Sequence, residues 1–209
     1  MFLRNAYRAA ALALATACLL LTACDKQGEG APMVLSPAQS SFKNTDVTGL
    51  DYAKEFAMPD HNGKMRTLAD FKGKAVVVFF GYIHCPDVCP TTMAEMANVM
   101  QQLGPMADRV QVLFVTVDPE RDTPELLSKY VPAFDTRFLG LSGSKEQTEK
   151  MAKEFRVFYQ KVPGKEPGAY AMDHTAGSYV FDPQGRLRLF VRHGQGPEPI
   201  AHDLKLLLS

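Results

Sequence analysis

The chain predicts an α/β fold built on a central mixed β-sheet, and three observations predict it. Two runs, residues 75–80 (AVVVFF) and 110–117 (VQVLFVTV), are apolar at nearly every position, as strands covered on both faces are. Segments with the apolar spacing of helices follow them, at 91–103 and 124–134. The last third instead holds paired short runs around turn residues, which read as antiparallel hairpins. Strands alternating with helices, then hairpins, give a sheet of mixed strand direction flanked by helices.

Taken in order, residues 55–58 and 65–68 form an N-terminal hairpin around Asn62-Gly63, with His61 at the surface beside the turn. Residues 70–74 turn into the buried strand 75–82. The helix from Thr91 to Leu103 carries Met93, Met96, Met100 and Leu103 on one face. Such a methionine stripe could offer thioethers to a metal, but its spacing is that of core packing. After strand 110–117, Thr123 caps a helix with Pro124 in its first position, and Pro132 interrupts it before Phe134. Residues 138–141 are a short strand, and Ser144 with Gln147 form a capping box for a helix to Phe155. Hairpins at 157–162 with 169–172, and at 177–181 with 187–192, precede a closing helix over 199–208.

Composition narrows the function classes. The chain is 46% hydrophobic and 22% charged, which suits one domain with a sizeable core. Its 23 basic and 23 acidic residues balance, so no nucleic-acid surface is implied. At the N-terminus, Arg4 and Arg8 precede an apolar run over 9–21, too short to span a bilayer and suited to a signal peptide. It ends in Leu21-Thr22-Ala23-Cys24, which resembles a bacterial lipobox with Cys24 as the acylated residue. An ordinary signal peptide or an uncleaved anchor is the alternative. Asp25 resembles an inner-membrane retention signal. Residues 1–23 therefore read as a lipoprotein signal peptide, 24–46 as a flexible tether rich in Gly, Pro and Ser, and 47–209 as the domain. That places the domain on the periplasmic side of the inner membrane, held by a lipid anchor, where disulfides persist.

Cys18 falls in the discarded segment. Apart from Cys24, the mature chain keeps only Cys85 and Cys89, in Cys85-Pro86-Asp87-Val88-Cys89-Pro90, between the strand ending near residue 82 and the helix from Thr91. Residues four apart in a helical turn have Cβ atoms about 5–6 Å apart, so both thiols can face one ion. The same spacing permits a disulfide, whose Cα atoms lie about 4.4–6.8 Å apart. Metal binding, thiol cycling and a structural bridge all remain open, although a bridge enclosing three residues constrains little chain entropy. Two thiolates leave a metal site incomplete, and histidine is the natural third donor. His61, His193 and His202 lie in turn or tail contexts, and His84 adjoins Cys85 too closely to converge with it. His174, in Ala171-Met172-Asp173-His174, follows a strand in the second half. On spacing alone a structural histidine is the default there.

Three segments, DFKGKAVVVFFGYIHCPDVCPTTM, VTVDPERDTP and YAMDHTAGSYVFDPQGRL, together resemble the Sco/SenC copper-chaperone family over roughly residues 50–208. Ile83 stands where that family commonly has threonine, and Met172 where it has an aliphatic residue. The resemblance implies a thioredoxin-like fold, to which the N-terminal hairpin and the hairpin in the second half are additions. It places copper ligands at Cys85, Cys89 and His174, with Asp173 as the supporting acidic neighbour and one copper ion, Cu(I) or Cu(II), per domain. Met172 shares a strand face with His174, where packing explains it better than a thioether ligand does. The resemblance also implies copper delivery to the copper-bearing subunit of cytochrome c oxidase, at its Cu(A) site, and exchange with periplasmic copper carriers or thiol reductants. Soft thiolates and an imidazole suit copper and would also tolerate Zn²⁺. The alternative is a thiol–disulfide oxidoreductase using Cys85 and Cys89 as its redox pair, against which the usual C-x₂-C spacing weighs. A peroxiredoxin-like peroxidase is a third reading; the second cysteine and the Asp-His pair weigh against it.

Overall fold

A computed structural model describes residues 41–209; the expected signal segment, Cys24 and most of the expected tether lie outside the described residues. The described residues hold ten strands: β1 (Thr45–Asp46), β2 (Met58–Pro59), β3 (Met65–Arg66), β4 (Ala75–Gly81), β5 (Val110–Thr116), β6 (Leu139–Leu141), β7 (Tyr159–Pro163), β8 (Tyr170–His174), β9 (Gly177–Phe181) and β10 (Leu187–Arg192). The helices among the described residues are α1 (Val88–Leu103), α2 (Pro124–Tyr130), α3 (Lys145–Glu154) and α4 (Pro197–Leu208), with short 3₁₀ turns between.

Six strands form the central sheet in the order β1-β10-β9-β4-β5-β6. β4, β5 and β6 run parallel, while β9 pairs antiparallel with β4 and β10 with β9. Every residue of β4, β5 and β9 is buried, as the unbroken apolar runs require. α1 and α4 pack together over β4, and α2 packs on β6. Met93, Met96 and Met100 are almost fully buried, so the methionine stripe is core. This is the expected α/β arrangement, a mixed sheet flanked by helices with two additional hairpins, β2–β3 and β7–β8.

The departures from expectation have local causes. α1 begins at Val88 rather than Thr91, because a proline at its third position lacks only an N–H that the first turn does not use. It ends at Gly104, whose φ of 54° with ψ of −127° is a pairing that glycine adopts without a Cβ clash. The caps at Thr123 and Ser144 form as read, with Leu126 N–H donating to Thr123 Oγ1 and Gln147 N–H to Ser144 Oγ. Residues 43–46, placed in the tether by sequence, belong to the fold. β1 pairs with β10, and the Lys43 and Asn44 amides donate to the buried Asp203 carboxylate at 2.8 Å each. His61 is half-buried rather than at the surface: its backbone N–H donates to Gly140 O, and its Nδ1 accepts from Gly140 N–H at 3.0 Å. It thereby joins the first hairpin to the edge strand β6.

Candidate metal centre

β4 delivers the chain to the site. Its last residue, Gly81, is followed by a short loop holding Cys85, then by the first turn of α1, which holds Cys89. Both thiols are free. Cys85 is half-buried and Cys89 fully buried. Asp87 stands at the N-cap of α1 but makes no side-chain cap. In its place the Cys89 N–H donates to Cys85 Sγ at 3.4 Å, so a sulfur meets one of the amides that a helix start leaves unpaired.

His174, last residue of β8, comes to the same place from 85 residues away in sequence, with Nε2 3.7 Å from Cys89 Sγ. Its ring stands edge-on to Tyr82 and Phe79. His174 Nδ1 lies 3.2 Å from the Thr175 carbonyl oxygen, which only accepts. Nδ1 therefore carries the proton, and the lone pair of Nε2 faces the thiol. Burial lowers the pKa of His174, against the Thr175 carbonyl and the Asp173 charge, which favours the neutral ring a metal needs. Burial also pushes the Cys89 thiol well above its ordinary range; the Tyr82 amide directed at the sulfur opposes this without overcoming it. Burial thus favours the uncharged forms of both the Cys89 thiol and the His174 ring.

Of the sequence-derived candidates, His174 comes to the Cys89 thiol, and Cys85 Sγ meets the Cys89 amide. Asp173 does not join them: it is exposed and acts on His174 through its charge. Met172 is buried and lines a groove of about 440 Å³ with Asp118, Thr148 and Lys161, consistent with packing. His84 Nδ1 lies 3.8 Å from Asp122 Oδ1, His193 Nδ1 meets Thr92 Oγ1 at 3.2 Å, and His202 Nδ1 meets Asp203 Oδ1 at 2.9 Å. Among the described residues no group of three or more His, Cys, Asp or Glu side chains is placed to hold a metal ion. The donor set nonetheless fits a soft ion: two thiols and an imidazole with its lone pair turned inward.

Sequence reasoning did not find what braces the site. Asp122 is buried, and its Oδ2 accepts from Thr116 Oγ1 at 2.6 Å and from Ile83 N–H at 3.0 Å, two residues before Cys85. Burial raises the pKa of Asp122, while those two donors lower it, and Oδ1 has no hydrogen-bond partner. Asp118 accepts from Arg121 Nε and, at 2.9 Å, from the Tyr170 hydroxyl. The signal was present in DPERDTP: charged residues directly after a buried strand must find partners.

A thioredoxin-like domain with two thiols and an imidazole gathered beyond its central strand is the class that fold and site define. The family follows from comparison: the chain belongs to the SCO1/SenC family, whose model matches residues 45–209. It is similar to the mitochondrial Protein SCO2 homolog of Bos taurus, at 38% identity over 153 residues covering 72% of this chain and 58% of that protein. The chain therefore spans little more than half the length of this curated relative. Among solved structures it resembles copper-bound ScoI of Bradyrhizobium japonicum, at 44% identity and TM-score 0.68, covering 74% of this chain and 98% of that one. Apo Sco1 of Thermus thermophilus is also similar, at 40% identity and TM-score 0.71, covering 81% of this chain and 99% of that one.

Proposed function

We propose that this chain is a copper metallochaperone that holds one copper ion on Cys85, Cys89 and His174 and passes it to the copper-bearing subunit of cytochrome c oxidase, at the Cu(A) site. The observation that carries the reading is the approach of His174 Nε2 to Cys89 Sγ, 3.7 Å across the fold, with the lone pair turned toward the thiol. Family membership supports copper as the cargo, as does the copper-bound state of the Bradyrhizobium relative. Three ligands leave a position through which a receiving site can attack, so transfer proceeds by ligand exchange. The reading includes a lipid anchor at Cys24 that keeps the domain at the periplasmic face of the inner membrane. No helix of the described residues is long and apolar enough to cross a membrane.

Titration of the reduced domain with copper tests this. Binding is expected to saturate at one ion with sulfur-to-copper charge-transfer bands, and His174→Ala is expected to alter them. Unchanged bands and affinity in His174→Ala would remove the third ligand.

One observation favours a second reading. The unequal exposure of the free thiols suits a reductant, with half-buried Cys85 attacking a client disulfide and buried Cys89 resolving the mixed disulfide. Two electrons then pass to the client, and a Cys85–Cys89 disulfide remains. Absence of exchange with a disulfide-bonded peptide of the oxidase subunit would sink that reading.

A further inference from the structure

Among the described residues the hairpin that brings His174 to Cys89 belongs to no larger sheet: β7 and β8 pair only with each other. The bonds Thr175 N–H to Phe158 O and Gly164 N–H to Ala169 O set the register. Gln160 with Asp173, and Val162 with Ala171, are then the hydrogen-bonded pairs. The backbone groups of Tyr170 and Met172 point away from β7, where a third strand would lie. Side chains meet them instead. Arg121 Nη1 donates to the Tyr170 carbonyl at 3.0 Å, and the Met172 amide is directed at the Tyr82 hydroxyl.

Arg121 does more than fill a strand's place. Its guanidinium lies 3.6 Å from the centroid of the Tyr170 ring and 5.8 Å from that of Tyr82. Its Nη2 is buried without a hydrogen-bond acceptor, beside those rings. The same guanidinium holds Asp118, which accepts the Tyr170 hydroxyl on its other oxygen. A separate ion pair, Lys161 to Glu120 at 2.6 Å, is exposed and contributes little. Through Asp122 the same turn holds the loop before Cys85, so residues 116–122 touch both ligand-bearing segments.

We propose that Arg121, with Tyr170 and Asp118, forms a clasp that fixes the β7–β8 hairpin and so positions His174 over the thiols. Tyr170 stands four residues before His174, roughly 13 Å along an extended strand, so the clasp acts at a distance from the ligand it places. The clasp stands on the hairpin contacts alone; only its consequence for copper rests on the proposed copper site.

Hydrogen exchange on the reduced, metal-free domain and charge-transfer spectra of its copper complex test the two parts separately. In Arg121→Ala, exchange of the Gln160, Val162, Ala171 and Asp173 amides is expected to rise about tenfold or more, with β4 and β5 unchanged. Its copper spectrum is expected to move to that of His174→Ala, although all three ligands are present. Tyr170→Phe keeps the stacked ring and the bonded carbonyl, so a smaller rise in exchange and a wild-type spectrum are expected. If Arg121→Ala does not fold, Arg121→Lys, which keeps the charge but not the planar fork, is expected to show the same changes in lesser degree. Unchanged hairpin exchange overturns the clasp. Faster exchange with an unmoved spectrum, where His174→Ala does move it, overturns the positioning role. If His174→Ala itself leaves the spectrum unmoved, the copper reading fails and the exchange result alone decides the clasp.

Discussion

A Cβ added to Gly81, at the end of β4, would lie 2.9 Å from the Cys89 sulfur, 2.9 Å from the Phe79 ring and 3.0 Å from the Phe114 ring. The two rings are themselves packed, with centroids 5.9 Å apart, and have little room to yield. Gly81→Ala is therefore expected to destabilise the domain by about 1–3 kcal/mol and to push the thiol from its place beside His174. Chemical denaturation measures the first effect and copper affinity the second; wild-type values in both would show slack in the cleft. The cysteines were legible in sequence because only thiols supply that chemistry in the mature domain. Gly81 was not, because the space it leaves is defined by Phe114 and Cys89, neither of which adjoins it in sequence. Asp122 was unreadable for the same reason: its importance lies in an amide 39 residues away.

Among the elements, β1 was the one that pattern could not find. Two residues show no periodicity, and the anchor is Asp203, 160 residues from Lys43, on α4. Asp203 accepts from the Lys43 and Asn44 amides and from Asn44 Nδ2, and it faces His202 Nδ1. Burial raises its pKa, but His202 and the three donors from residues 43 and 44 together hold it below the ordinary carboxylate value. A carboxyl whose folded pKa lies below its unfolded one adds stability above the unfolded value, about 3.9, and loses it as pH falls through the folded value. Asp203→Ala is thus expected to cost about 2–4 kcal/mol at pH 7, with the gap to wild type narrowing below about pH 4. Denaturant midpoints at several pH values measure it; a gap independent of pH would show that packing, not charge, sets the loss. By contrast, the caps of α2 and α3 were readable because their partners lie three residues away.

For the whole molecule, the α/β class was legible because β4 and β5 are buried on both faces and carry apolar residues throughout. Where the domain starts was not, since residues 41–46 resemble a tether in composition while being bonded to both β10 and α4. A chain beginning at residue 41 keeps β1 and both amides bonded to Asp203. One beginning at residue 47 loses β1 and the Lys43 and Asn44 bonds to Asp203 together. Its loss is expected to match that of Asp203→Ala and not to add to it when the two are combined. Full additivity would show that the strand and the carboxylate act independently. The meeting of Cys89 and His174 was the least legible feature, because spacing in the chain carries no information about a contact made through three intervening strands.

The sulfur of Cys85 takes the place at the start of α1 that Asp87 leaves unused. Whatever befalls that sulfur, whether oxidation to a bond with Cys89 or coordination of an ion, changes the charge and basicity of the acceptor that the Cys89 amide meets. The first turn of the helix thereby becomes a resident gauge of the thiols. The Cys89 N–H resonance of the ¹⁵N-labelled domain is expected to take distinct positions for the empty, loaded and oxidised states, so occupancy can be followed without a client.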